Sequence, residues 1–367
     1  MLLAIGIVVV VVLVFLIFMK VYPVFGQKPS KEVAMGFAKS LQYAKGKFEN
    51  PVPAMMDMSL STTVGILREM LKGSPYRRPK APLPMDAPRF TKNRDTTITW
   101  FGHSASLLTI DGKALLMDPM FGRTPSPFPW LGKNRYSGGL PFELEQLPRI
   151  DAVILSHDHY DHLDYGSIMK IKHKVSKFLV PLGVKGHLIR WGIPATQIEE
   201  YDWWEELMFE GLQLACTPAN HFSGRSLNDR GATLWCSWVI KGQHTKVFFS
   251  GDSGYTPHFK QIGDKYGPFD LTLIECGQYD ERWADIHLMP EETVQAHLDV
   301  KGKVLLPIHW GAFTLAMHDW NDPVARAAEA AKAKGVTILT PLIGHTVTLK
   351  GSDVITDIPN ANWWVHK

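Results

Sequence analysis

Six consecutive positions, His157-Asp158-His159-Tyr160-Asp161-His162, gather three imidazoles and two carboxylates. They follow the apolar run Ala152-Val153-Ile154-Leu155, which reads as a buried strand ending just before them. Side chains alternate faces in an extended segment, so His157 and His159 point the same way and can grip one ion. If the chain then turns into a helix, Asp161 and His162 swing to a second position nearby. One histidine among 15 is ordinarily solvated or hydrogen-bonded. Five such groups desolvated together at the mouth of a strand need a cation to hold them, and nitrogen plus oxygen donors are what zinc takes. The stretch reads as most of a two-metal site.

Three downstream segments supply further donors. Thr217-Pro218-Ala219-Asn220-His221 places a histidine just past a strand, Phe249-Ser250-Gly251-Asp252 an aspartate, and Leu306-Pro307-Ile308-His309 another histidine. Each donor stands at the C-terminal end of an expected core strand, and such ends can converge on one edge of a sheet.

The elements that must position these groups are legible as alternating periods. Short β-like runs at 97–101, 106–110 and 114–117 form a meander around Gly102-His103 and Asp111-Gly112. Further strands are expected at 151–155, 177–180, 212–217, 233–240, 245–250, 271–274, 303–307, 336–339 and 346–349. Helices are expected at 165–172, 184–191, 258–266, 290–298 and 323–334. The pattern is a mixed α/β (α+β) architecture of layered sheets covered by helices.

At 367 residues, 45% hydrophobic and 20% charged, the chain has the composition of a globular protein. The net charge of +3 is spread out, with Arg77-Arg78-Pro79-Lys80 as the tight basic cluster, so nucleic acid is excluded as a partner. Cys216, Cys236 and Cys276 are too scattered for a disulfide framework and read as buried thiols. Residues 2–19 carry no charge and are long enough, at ~1.5 Å per residue, to cover about 27 Å of bilayer. The expectation is an uncleaved N-terminal transmembrane anchor at 1–22, with a cleaved signal peptide as the alternative. Lys20, Lys28, Lys31, Lys39, Lys45 and Lys47 all follow it, which implies single-pass localisation in the cell membrane with a cytoplasmic catalytic domain. Val33, Phe37, Leu41, Ala44 and Phe48 recur at helical spacing, either as an interfacial helix or as one docked on the domain. A proline-rich strap at 75–88 completes a region 23–95, and the hydrolase domain runs over 96–367.

The pattern His157-x-His159-x-Asp161-His162 with single downstream His221, Asp252 and His309 resembles the metallo-β-lactamase-fold superfamily, which implies an αββα sandwich. Within it, the closer resemblance is to the N-acyl-phosphatidylethanolamine-hydrolysing phospholipase D family. Asp118-Pro119-Met120-Phe121, Asp202-Trp203-Trp204-Glu205-Glu206, Gly251-Asp252-Ser253-Gly254-Tyr255, Arg282-Trp283 and His309-Trp310-Gly311-Ala312-Phe313 carry it, over 96–349. By that resemblance one Zn2+ takes His157, His159 and His221, a second takes Asp161, His162 and His309, and Asp252 bridges them. A shared hydroxide would then be the nucleophile, because a metal can lower the pKa of water from about 15.7 to about 7.

The same resemblance gives second-tier roles. Asp118 would orient a metal-binding histidine, or is a turn aspartate before Pro119; with Asp161 and His287 it completes the catalytic set. His287 would contact the phosphate or acyl-amide. Arg225 is either a headgroup contact or a solvated loop residue, and His103 either lines the site or caps a turn. Two departures stand out: Ile343-Gly344-His345 replaces a histidine-glycine-glutamate segment, and Ile286 precedes His287 where a polar residue is usual. The expected function is a membrane-anchored phosphodiesterase releasing the headgroup of N-acyl-phosphatidylethanolamine-like phospholipids. The alternative is a hydrolase of a soluble lactone, cyclic phosphodiester or β-lactam. The expected partners are the phospholipid substrate and the membrane, with a homo-oligomer left open.

Overall fold

The computed structural model describes residues 2–53, 59–90, 95–132, 134–350, 353–354 and 362–365. The ends of the expected strap region and of the expected hydrolase domain, 91–94 and 366–367, lie outside them. Chain order begins with helices α1 (Leu2–Val21) and α2 (Lys31–Gly36), a hairpin of β1 (Tyr43–Ala44) and β2 (Lys47–Phe48), and α3 (Leu60–Lys72). Then follow β3 (Thr96–Trp100), β4 (Ser106–Ile110), β5 (Lys113–Met117), β6 (Ile150–Ile154), α4 (Tyr165–Ile171), β7 (Val175–Pro181), α5 (Lys185–Arg190) and β8 (Ile198–Tyr201). The second half comprises β9 (Glu206–Phe209), β10 (Leu212–Thr217), β11 (Ser237–Lys241), β12 (Lys246–Phe249), α6 (His258–Tyr266), β13 (Phe269–Glu275), α7 (Pro290–Asp299), β14 (Gly302–Ile308), α8 (Asp322–Lys334), β15 (Thr337–Ile338), β16 (Thr346–Lys350) and β17 (Asp353–Val354).

Two sheets face each other. One has the order β17-β16-β3-β4-β5-β6-β7-β8 and the other β15-β14-β13-β12-β11-β10-β9. The period of two along the strands decides what each layer buries. In β6, Ala152 and Ile154 point into the core between the sheets, while Val153 packs outward with Ile168 and Ile171 of α4 and Leu188 of α5. In β12, Val247 and Phe249 face inward, and Phe248 packs with Phe259 of α6, Val294 of α7 and Ala331 of α8. Helix, sheet, sheet, helix is the expected αββα sandwich.

Strand direction sets the site. Strands β5, β6 and β7 run parallel, as do β12, β13 and β14, and β10 points the same way as β12 because each is antiparallel to β11. Their C-terminal ends carry Asp118, the His157 motif, Glu275, His309, Asp252 and His221. Two corners clasp across the sheets: His103 N–H donates to Trp310 O (2.8 Å) and His309 N–H to His103 O (2.9 Å). Both histidines sit at positive φ, 55° and 66°, a sparsely populated region for residues with a side chain.

The N-terminal region departs from expectation twice. The stripe Val33 to Phe48 does not make one helix: α2 ends at Gly36, and the chain turns back through Lys45 (φ 52°) and Gly46 (φ 82°) into the β1–β2 hairpin. Its aromatic members still pack together, Phe37 on Phe48 at 5.3 Å, inside the inter-sheet core.

The expected anchor is also corrected. The last turn of α1 is committed to the domain, with Phe18 stacked on Phe128 (6.1 Å) and Arg190 donating to Lys20 O (2.6 Å). The main stretch of exposed large apolar side chains on α1 runs from Leu3 to Ile17, with Val21 exposed beyond it. That stretch covers about 22 Å at ~1.5 Å per residue, less than the ~30 Å hydrocarbon core. Among the described residues no helix is long and apolar enough to cross a membrane. The single-pass span is therefore withdrawn, and with it the localisation in the cell membrane with a cytoplasmic catalytic domain.

Gly251, just before Asp252, shows how tightly the sheets meet. At φ 57°, a Cβ there would lie 2.6 Å from Ser156 Cβ and 2.8 Å from Cys236 O. Gly251→Ala is expected to cost about 2 kcal/mol of stability from overpacking and backbone strain together. Denaturant unfolding monitored by circular dichroism would show this as a lowered midpoint at unchanged slope.

Candidate active site

The Asp252 carboxylate lies at the centre of the convergence. Its Oδ2 is 3.0 Å from His162 Nε2, 3.0 Å from His309 Nε2, and 3.9 Å from both His157 Nε2 and His221 Nε2. Asp161 Oδ2 approaches His309 Nε2 at 3.3 Å and His162 Nε2 at 3.5 Å. His159 Nδ1 lies 3.2 Å from His221 Nε2. Two of the sets that could hold an ion are His157, His159 and His221, and His103, Asp161, His162 and His309. All seven donors expected from the sequence come together.

The outer ring nitrogens are tied back, which frees the inner ones. His162 Nδ1 meets Asp118 Oδ2 at 2.7 Å, His157 Nδ1 meets Ser156 Oγ at 2.9 Å, His221 Nδ1 donates to Ile286 O (3.0 Å) and His309 Nδ1 to Gly277 O (3.1 Å). Such partners fix the tautomer and aim of a metal-binding imidazole. The inner atoms His157 Nε2 and Asp252 Oδ1 are buried and have no hydrogen-bond partner among the described residues. Burying lone pairs and charge this way is costly unless a cation takes them, so the donor set fits metal.

Charge divides the cluster into two halves. Burial, reinforced by the neighbouring imidazoles, pushes His157 and His221 well below the usual histidine range, so both are neutral and ready to coordinate. Burial acts the same way on His162 and His309, but there the Asp252 and Asp161 carboxylates outweigh it and hold both imidazoles well above that range. Burial also opposes ionisation of Asp161 and Asp252, and the adjacent imidazolium charges override it, keeping both ionised. In the absence of metal, protons on His162 and His309 supply the positive charge the carboxylates require.

The second-tier residues take varied places. Asp118 accepts from Ser156 N (2.8 Å) and Ser156 Oγ (2.5 Å) as well as meeting His162, so it braces the motif rather than merely shaping a turn. His287 lines the site cavity, stacked 5.1 Å from His309, with Nδ1 2.7 Å from Glu275 Oε2. His103 stands within the donor cluster: it is fully buried, its Nε2 2.8 Å from Asp161 Oδ2, and burial lowers its pKa to about 3. Arg225 is corrected as well. Its buried guanidinium donates to Asp158 O (2.5 Å), Leu163 O (2.7 Å) and Val24 O (3.0 Å), fastening the motif loop from behind instead of meeting a headgroup.

Of the two departures, Ile286 contributes the carbonyl that His221 needs, which any residue provides. His345 pairs with Asp86 at 2.7 Å, so the segment 343–345 secures the proline-rich strap and does not line the site cavity.

Sequence reasoning missed Ser156 and Glu275. Glu275 is completely buried at the end of β13, accepting from Ser253 N (2.6 Å) and lying 3.3 Å from His309 Nδ1 in addition to its contact with His287. The available signal was an acid closing the apolar run Leu271-Thr272-Leu273-Ile274, the same strand-end placement that marked Asp252 and His309.

Residues 113–310 match the beta-lactamase superfamily domain. The chain belongs to the metallo-β-lactamase superfamily. An uncharacterized Mycobacterium tuberculosis protein is 42% identical over 320 residues, covering 85% of this chain and 86% of the relative. N-acyl-phosphatidylethanolamine-hydrolyzing phospholipase D 1 of Caenorhabditis elegans is 35% identical over 234 residues, 60% of this chain and 65% of its own length. Among solved structures, the metallo hydrolase Igni18 from Ignicoccus hospitalis superposes with a TM-score of 0.55 at 23% identity, over 70% of this chain and 98% of that one, a likeness of fold. The chain is a metal-dependent hydrolase of the metallo-β-lactamase fold, with candidate metal-binding groups of histidine and aspartate.

Two measurements probe this site. Asp118→Ala removes the acceptor shared by Ser156 and His162 and is expected to weaken metal binding by about 10–100-fold, read by chelator competition. Because His162 and His309 are protonated at neutral pH without metal, metal uptake should release protons. Calorimetric titrations in buffers of different ionisation enthalpy should therefore give different apparent heats at pH 7, and identical heats would contradict the assignment of charge. The sign follows from the raised values: uptake competes with protons below the folded-state pKa of these imidazoles and is relieved of them above it.

Proposed function

We propose that the chain is a dizinc phosphodiesterase that hydrolyses the headgroup phosphodiester of N-acyl-phosphatidylethanolamine-like phospholipids. The observation that carries the reading is the set of six donors closing around the seventh, Asp252, in a chain similar to a phospholipase D named for that substrate. His157, His159 and His221 would hold one ion and Asp161, His162 and His309 the other, with Asp252 between them. Two zinc ions there would supply a water of lowered pKa and a clamp for the phosphoryl oxygens. The protein's own groups do the positioning. Asp118 and Ser156 fix the histidine ring planes, and Glu275 holds His287 by Nδ1 so that its other nitrogen can meet a phosphoryl or amide oxygen. Phe222, Trp283, Ile286 and Leu315 line the same cavity and would exclude water from the scissile bond while contacting the apolar part of the substrate.

A second reading has one observation in its favour. The cavity over the donors measures about 220 Å3, below the ~300 Å3 at which small-molecule pockets usually begin, which suits a small lactone or cyclic phosphodiester. Purified zinc-loaded protein should convert N-acyl-phosphatidylethanolamine in detergent micelles to phosphatidic acid and an N-acylethanolamine. It should lose that activity on chelation and regain it with Zn2+. Turnover of a soluble lactone with none of the lipid would move the assignment to the second reading.

A further inference from the structure

Two apolar walls of the metal cavity come from separate segments and are fastened to a single residue, Gln278. Trp283 ends the turn at 281–283 and Leu315 stands in the loop at 313–318, and both line the cavity over the donors. Leu315 is 38% exposed and Trp283 half-buried, so each still offers apolar surface to an occupant. Gln278 lines the same cavity and is itself buried. Its carbonyl accepts from Trp283 Nε1 (2.9 Å). Its side-chain Oε1 accepts from Leu315 N–H (2.9 Å) and Ala316 N–H (3.1 Å), and its Nε2 donates to Phe313 O (3.1 Å). The backbone N–H donates to His318 Nε2 (2.8 Å), which holds the far end of the loop.

The residue is referenced to the metal centre on one side and to the walls on the other. It follows Gly277, whose carbonyl takes His309 Nδ1 (3.1 Å), and it sits at φ 64°, a region that residues with a side chain adopt rarely and chiefly where function requires it. Both walls are also tied from outside the cavity. Arg282, beside Trp283, pairs with Glu69 of α3 at 3.0 Å, and Arg77 Nε donates to Met317 O (3.0 Å). With the outer ends fixed, the spacing of indole and leucine is set from within by one primary amide. Removing that amide strands two backbone donors and one acceptor of the loop, each costly to leave unmade, and they regain partners by moving toward water. Leu315 would move with them.

We infer that Gln278 is a positioning residue for substrate specificity, holding Trp283 and Leu315 at the spacing that grips the hydrocarbon part of a substrate whose reacting group lies on the metals. The inference rests on the reading of the seven donors as a metal site and not on the phospholipid as substrate.

Isothermal titration of the zinc-loaded full chain with acetohydroxamate and hexanohydroxamate separates head from tail, because both chelate zinc through the same group and the second adds a chain. Hexanohydroxamate should bind the unmodified protein about tenfold tighter, the gain expected when about two methylenes leave water. Gln278→Met keeps the bulk and removes the amide, and should cut that ratio about fivefold. Leu315→Ala, at an exposed position where folding is not at stake, should cut it by a similar factor. The double variant should lose no more than either single one, since both act through one contact. A ratio near one in the unmodified protein, an unchanged ratio in either single variant, or additive losses in the double variant would each overturn the inference. Absence of acetohydroxamate binding in the unmodified protein would remove the metal reading itself, and the inference with it.

Discussion

The structure depends on a buried carboxylate, Asp252, held within 3.9 Å of four imidazoles. No arrangement of neutral groups stabilises that much lone-pair density away from water, so the chain must import positive charge there, as protons or as metal. Everything near it serves that requirement. Asp118, Ser156, Glu275 and the carbonyls of Gly277 and Ile286 engage the outer nitrogens and so point the inner ones at a common centre. The backbone at His103 and His309 leaves the regular strand conformation for positive φ.

The division of labour between the sheets explains how much could be read in the sequence. The His157 motif is legible because its donors are consecutive and leave a strand together. His221, Asp252 and His309 are legible because each closes an apolar run, and the parallel directions of β12, β13 and β14 then carry Asp252 and His309 to one edge without further information. Glu275 obeys the same rule but was hidden by its neighbours: a lone glutamate between Ile274 and Cys276 looks like a strand end facing solvent. Ser156 was hidden because a serine beside a histidine motif carries no charge or period of its own. The role of Arg225 depended on a contact with Val24, two hundred residues away, that no local pattern announces.

Periodicity misled most in the N-terminal region. The stripe from Val33 to Phe48 satisfies a 3.6-residue repeat, yet the chain turns extended at Ser40 (ψ 132°) and returns as a hairpin through Gly46, and the aromatic residues find the inter-sheet core by that route. The apolar run of α1 is a helix, but its last turn is spent on an aromatic cluster with Tyr22, Phe25 and Phe128. From there the chain reaches the metal motif from behind: Gln27 N–H donates to His187 Nδ1 (2.8 Å), and His187 Nε2 lies 3.2 Å from Asp158. The leading segment is thus a structural support of the catalytic loop.

The paired corners at His103 and His309 carry a last consequence. Because each is hydrogen-bonded to the other's neighbourhood and each belongs to a different sheet, the reactive centre is also the rivet that fastens the two halves of the sandwich. Sliding one half past the other would dismantle the catalyst first. Drift in the outer helices and surface loops can therefore accumulate freely, while the geometry at the rivet stays under a double constraint, once for chemistry and once for holding the molecule closed.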